Sequence, residues 1–119
     1  MSLRIQLPIK ALTQNTYYRK FRNRLIIGEK GREYKEKVME LTTGLPQITG
    51  KVGLDIHFYF KDRRKRDLDN MHKCFIDCIK NRLIEDDDHV YELSLHKYIG
   101  TGIDKIECHI YSLEDEVDS

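Results

Sequence analysis

Two aspartates, Asp67 and Asp69, stand directly behind a basic run in the stretch KDRRKRDLDNMHKCFID, residues 61 to 77. Lys61, Arg63, Arg64, Lys65 and Arg66 form that run, and Lys73 follows the second aspartate by one helical turn. Further along, EDDDHV (85–90) adds Asp86, Asp87 and Asp88. Carboxylates brought together from separate segments are how a protein holds Mg²⁺, which prefers oxygen ligands and keeps several waters. A basic rim around acidic metal ligands selects a polyanionic substrate, with phosphate as the reacting group.

An ordinary surface offers a competing account. On a continuous helix Asp69, Lys73 and Asp77 share one face as two i,i+4 ion pairs, each contributing about 0.3 kcal/mol, and Asp67 is a plain N-cap. Three features favour a site. The aspartates lie where a strand gives way to a helix, a common place for functional groups on a rigid frame. The basic residues exceed what two aspartates need for pairing. The triple-aspartate turn lies just beyond the same helix and can fold back toward it.

The positioning elements are legible in part. KVGLDIHFYF (51–60) alternates Val52, Leu54, Ile56, Phe58 and Phe60 with polar or small residues, the mark of a strand with one buried face. A helix is expected over 68–81, with Asp67 capping it, an apolar stripe of Leu68, Met71, Phe75, Cys78 and Ile79, and Asn81 taking the left-handed position at its end. RIQLPI (4–9) reads as a first strand, and 10–28 as a long loop with a short extended piece at RLII. A helix is expected over about 30–43, where Tyr34, Val38 and Leu41 fall at helical spacing. YELSLHKYI (91–99) and KIECHIY (105–111) alternate, and GTGID between them predicts a hairpin. The order β, loop, α, β, α, β, β predicts one α/β (α+β) domain over 1–112 around a small mixed sheet with two helices. Residues 113–119 form an acidic tail expected to be disordered.

Length and composition set limits. The chain has 119 residues, enough for one ordinary domain, and a net charge of +1, so total charge does not argue for nucleic acid. Charge distribution does: RKFRNR (19–24) and residues 61–66 are basic, while 85–88 and 114–118 are acidic. No stretch reaches the ~20 apolar residues of a membrane span, and no signal-peptide core is present. Cys74, Cys78 and Cys108 are an odd number without a CxxC pair, which predicts buried, reduced thiols in a cytoplasmic protein.

The stretch RKRDLDNMHKCFIDCI…EDDDHV resembles the signature of RusA-type Holliday junction resolvases of bacteria and their prophages. That pattern is a basic run, Asp-x-Asp-Asn, a lysine four residues after the second aspartate, and Asp-Asp shortly before a valine. Here these are Arg63 to Arg66, Asp67, Asp69, Asn70, Lys73, Asp86, Asp87 and Val90. LPIKALTQNTYYR also resembles the family's opening strand and its Asn-x-Tyr-Tyr-Arg loop. Asn81, Arg82 and His89 depart from the family's usual glycine, aliphatic residue and glutamine; none removes a matched aspartate or the lysine.

The resemblance implies a homodimeric, bacterial or phage-encoded endonuclease that nicks four-way DNA junctions in pairs during recombination and repair. Mg²⁺ is its implied cofactor, with Mn²⁺ as a substitute. It assigns catalysis and metal binding to Asp67, Asp69 and Asp87, and a catalytic charge to Lys73. Asn70 and Asp86 become neighbours supporting the metal ligands. Arg19, Lys20, Arg22, Arg24, Arg63, Arg64, Lys65 and Arg66 become DNA contacts. Tyr17, Tyr18 and Phe21 either stack on exposed bases or pack under their loop. If the acidic turn leads straight into a strand, alternation alone gives Asp87 or the Asp86/Asp88 pair as the third ligand; the resemblance selects Asp87. Two other functions remain open: a non-catalytic nucleic-acid-binding module, and a Mg²⁺-dependent nuclease acting on flaps or other branched DNA.

Overall fold

The computed structural model describes residues 1–114. Strand β1 covers Ser2–Leu7, a short helix α1 Gln14–Tyr17, strands β2 and β3 Tyr18–Phe21 and Arg24–Ile27, and helix α2 Glu29–Leu41. Strand β4 is Val52–Tyr59, helix α3 His72–Ile79, and strands β5 and β6 Val90–Tyr98 and Lys105–Ser112. Single 3-10 turns, Leu68–Asn70 and Asp87–His89, precede α3 and β5.

Alternation in β4 drives the assembly. Val52, Leu54, Ile56 and Phe58 are buried and meet Leu7 and Ile5 of β1, Ile106, Cys108 and Ile110 of β6, and Phe75, Cys78 and Ile79 of α3 in one core. The sheet runs β1-β6-β4-β5, with β4–β5 parallel and the other pairs antiparallel. The helices cover one face; the other carries the polar half of each strand. The three cysteines are free and buried, and burial pushes the Cys74 and Cys78 thiols up to about 11 and about 12. They are packing residues.

Three expectations change. First, β5 and β6 form no hairpin: β4 lies between them. The connection crosses the end of β4 instead. Thr101 and Gly102 donate their N–H groups to the carbonyls of Phe60 and Lys61, and Gly100 donates to that of Asp62. A glycine-containing turn between alternating segments signals reversal, but not whether a third strand enters the gap.

Second, segment 10–28 is largely ordered. It holds α1 and the β2–β3 hairpin, whose Arg22 and Asn23 both take positive φ, 52° and 61°, as a two-residue turn of the hairpin kind requires. Tyr17 is fully buried and donates its hydroxyl to Asp77 at 2.7 Å, so this residue packs. Phe21, half-exposed, sits on the hairpin beside Arg22, whose guanidinium is 5.3 Å from the ring centroid.

Third, the helix expected over 68–81 is a 3-10 turn followed by a shorter α3. Asn81 does take the left-handed conformation, with φ 65°. At the C-terminal end, Leu113 and Glu114 both bond to the Lys51 backbone; the rest of the expected disordered tail lies outside the described residues.

Gly31 sets how closely α2 approaches α1. A Cβ there would stand 2.3 Å from the Tyr17 carbonyl oxygen. Gly31→Ala is therefore expected to destabilise the domain by about 1–3 kcal/mol, the usual cost of overpacking, read as a lower urea midpoint at unchanged m-value.

Candidate active site

The two acidic turns are built alike. Asp67 accepts the Asp69 N–H at 3.2 Å and so caps the first turn. Asp86 accepts the Asp87 N–H at 2.7 Å and caps the second. Hydrogen bonding with the Asp87 side chain, then with its backbone N–H, holds the Asp86 carboxyl below its usual range. Each cap pins a turn and leaves the next acid, Asp69 or Asp87, exposed and without an ion-pair partner among the described residues. Because Asp87–His89 is a 3-10 turn and not strand, the alternation expected to divide Asp86 and Asp88 from Asp87 and His89 does not apply there.

Helix α3 lies between these turns in the chain. At one end the carbonyl of Arg66, directly before Asp67, meets the Lys97 ammonium near the end of β5. Asp87 lies just before Val90, the start of β5, so seven residues of strand, roughly 23 Å, separate Val90 from Lys97. Asp87 joins Lys73, Asp77, Lys80, His72 and Tyr18 around a cleft of about 530 Å³ between α3 and β5. Asp67 and Asp69 do not line that cleft. The carboxylates of Asp67, Asp69 and Asp87 do not come within 4.8 Å of one another as a group of three. Three exposed like charges repel when no cation offsets them.

Lys73 is the free cation of the cleft. It forms no ion pair among the described residues, in contrast to the expected Asp69–Lys73–Asp77 ladder. The ladder fails because Asp69 lies in the 3-10 turn, off the helix face. Asp77 is committed elsewhere: it accepts the Tyr17 hydroxyl and pairs with Lys35 and Lys80, each at 3.6 Å. Tyr18, half-buried, has its phenol pushed up by burial and then by the nearby Asp77 charge, with Asp87 a lesser cause. Tyr18, expected to stack on bases or pack under its loop, and Asp77, expected to pair with Lys73, both line the cleft instead, with Lys80 beside them. Lys80 follows Lys73 at seven residues, a helical spacing that could have placed it on the same face.

The basic residues divide. Arg66 is mostly enclosed: it donates to both oxygens of Asp62, at 2.6 and 3.3 Å, and lies 4.1 Å from the Phe60 ring centroid. This pairing, followed by the Arg64 N–H, holds the Asp62 carboxyl well below the usual range. Arg66 thus orders the loop after β4. Arg63, Arg64 and Lys65 are exposed, as are Arg19, Lys20, Arg22 and Arg24 on the hairpin.

A model of the family "Endodeoxyribonuclease RusA" matches residues 8–111. The chain belongs to the RusA family. It is 31% identical over 108 residues to a crossover junction endodeoxyribonuclease of Enterobacteria phage 82, covering 87% of this chain and 90% of the relative. A second relative with the same figures is the crossover junction endodeoxyribonuclease RusA of Escherichia coli O139:H28 (strain E24377A / ETEC). The matched span holds both acidic turns, α3 and the basic hairpin, so the RusA match covers every element that shapes the cleft.

Asp67, Asp69 and Asp87 fit a hard divalent cation by donor chemistry. All three offer carboxylate oxygens, and none of them has a competing ion pair among the described residues. Mg²⁺ takes one or two carboxylates together with substrate phosphates and waters, so it does not require all three to converge in the free chain.

Proposed function

We propose that the chain resolves four-way DNA junctions by paired, Mg²⁺-dependent nicks, as a homodimer in the bacterial cytoplasm. One observation supports this: in a chain of the RusA family, Lys73 and Asp87 line a single cleft, with two further carboxylates ahead of α3 and basic residues on both flanking loops. No helix among the described residues is long and apolar enough to cross a membrane.

Asp67, Asp69 and Asp87 hold the metal in this reading, which when bound polarises the scissile phosphate and supplies an activated water. Lys73 stabilises the charge that develops on the phosphate. Asp86 fixes the turn that presents Asp87, and Asn70 closes the turn that presents Asp69. Arg63, Arg64, Lys65 and the hairpin residues Arg19, Lys20, Arg22 and Arg24 hold flanking phosphates. Arg66 supports them by tying the loop to Asp62 and Phe60.

Arg64→Ala is expected to weaken junction binding and reduce the slope of log K against log salt by about 1, because one phosphate contact releases about one counterion. Gel-shift titrations over a salt series read both. An unchanged slope removes Arg64 from the phosphate contacts. Paired nicking needs two active sites, and a two-fold dimer matches a two-fold substrate. Light scattering should give a dimer mass at micromolar concentration or on DNA. Competition between a junction and a flap of equal length tests the substrate: preference for the flap overturns the junction assignment.

A further inference from the structure

The polar face of the sheet, opposite the helices, holds a second group of ligand-type side chains. Asp55 and His57 are two apart on β4 and so project from the same face. The parallel register sets His96 of β5 directly beside His57. One ligand atom from each of Asp55, His57 and His96 lies within 4.8 Å of the other two. It is the one such group of three among the described residues.

The distances from Asp55 suit a coordination shell in which its two carboxylate oxygens face one histidine nitrogen each. His57 Nε2 is 3.3 Å from Asp55 Oδ2, and His96 Nε2 is 3.1 Å from Asp55 Oδ1. Ligands bound at roughly 2.0–2.1 Å and tetrahedral angles stand about 3.3 Å apart. Asp55 Oδ1 is shielded from solvent and has no hydrogen-bond partner despite the nearby His96 nitrogen, so the two are close without being aligned as donor and acceptor. The Nδ1 of His57 is 2.9 Å from the Tyr98 hydroxyl. In the tautomer whose Nδ1–H donates to Tyr98, Nε2 is free to ligate a metal beside Asp55, the arrangement that orients metal-bound histidines; in the other, Nε2–H donates to Asp55 Oδ2. The two imidazoles are stacked, 4.2 Å apart and 6° from parallel, so ligation requires them to tilt toward each other. Rotation about histidine χ2 is broad and makes that tilt inexpensive.

We propose that Asp55, His57 and His96 form a binding site for a divalent transition-metal ion of the zinc class, with a fourth position open to water or another ligand. Two imidazoles and one carboxylate favour Zn²⁺ or Co²⁺ over Mg²⁺, which prefers oxygen alone. This site is on the opposite face of the sheet from α3 and does not depend on the nuclease reading.

Co²⁺ is the probe. Titrated into tag-free, full-length protein, one equivalent should give the intense visible absorption of tetrahedral Co²⁺, and Zn²⁺ should displace it. His57→Gln, His96→Gln and Asp55→Asn should each weaken Co²⁺ binding at least about a hundredfold, beyond the 10–100-fold typical of losing only a supporting residue. Asp69→Asn and Asp87→Asn should keep the absorption, which separates this site from the acidic turns. Circular dichroism confirms that each variant is folded; the three ligands lie on two strands, so one misfolded variant leaves two that decide. No tetrahedral absorption in the wild type, or absorption retained in His96→Gln, overturns the proposal.

Discussion

Asp87→Asn is expected to reduce metal-dependent junction cleavage by roughly 10²–10³-fold or more, the scale on which losing one preorganised charge-handling group acts. The substitution keeps the side chain's shape, and Asp86 can still cap the turn through the Asp87 backbone N–H. Binding should survive or tighten, because a negative charge facing phosphate has gone. Asp88→Asn is the matched control. Asp88 is exposed on the same 3-10 turn, with the His89 Nε2 atom 3.8 Å away, and it does not line the cleft. Its cleavage rate should stay near that of the parent. Full activity in Asp87→Asn, or loss in Asp88→Asn alone, assigns the third metal ligand to the wrong residue.

Lys73→Ala carries the second large effect. Lys73 has no carboxylate partner among the described residues and is exposed on α3, so its removal costs the fold little. Its charge matters most as the phosphate gains charge, which places the loss in the transition state. Cleavage at saturating protein should fall by about 10²–10³-fold, with junction affinity changed far less. Normal single-turnover cleavage at saturation, with binding alone weakened, reduces Lys73 to one more phosphate contact. Lys80→Ala makes a useful contrast. Lys80 lines the same cleft but is paired with Asp77 at 3.6 Å, so its charge is partly spent and a smaller loss is expected.

How far the sequence foretold this arrangement depended on the range of the signal. The strict alternation in β4 and the apolar stripe of α3 are local patterns, and both elements formed where that pattern lay. Asn81 took the left-handed position as the third residue of a turn after α3, behind an extended Lys80 and closed by the Arg82 N–H on the Ile79 carbonyl. What failed was pairing and commitment. Nothing in YELSLHKYI or KIECHIY says that β4 will enter between them. Nothing in DLDNMHK says that the first turn will be 3-10, which moves Asp69 off the Lys73 face. Arg66 was indistinguishable from its basic neighbours until the fold set Asp62 and Phe60 against it. The long segment 10–28 looked irregular because its hairpin turn uses Arg22–Asn23 instead of a glycine pair, which hid the β2–β3 reversal.

The Asp55, His57 and His96 group was illegible for the same reason. His96 is far in sequence from the Asp55–His57 pair, and only the parallel β4–β5 register brings the three together. The Asp67/Asp69/Asp87 set was legible by motif, yet its members stay apart in the free chain.

One experiment bears most directly on the central claim. A mobile four-way junction, labelled in turn on each strand, is incubated with folded protein in Mg²⁺ and in chelator. The RusA-type reading predicts nicks at symmetrical positions on two opposed strands, giving two nicked duplexes, in Mg²⁺ only. An intact junction after long incubation with either Mg²⁺ or Mn²⁺, while the same protein still shifts the junction on a gel, contradicts it and leaves a binding module in its place.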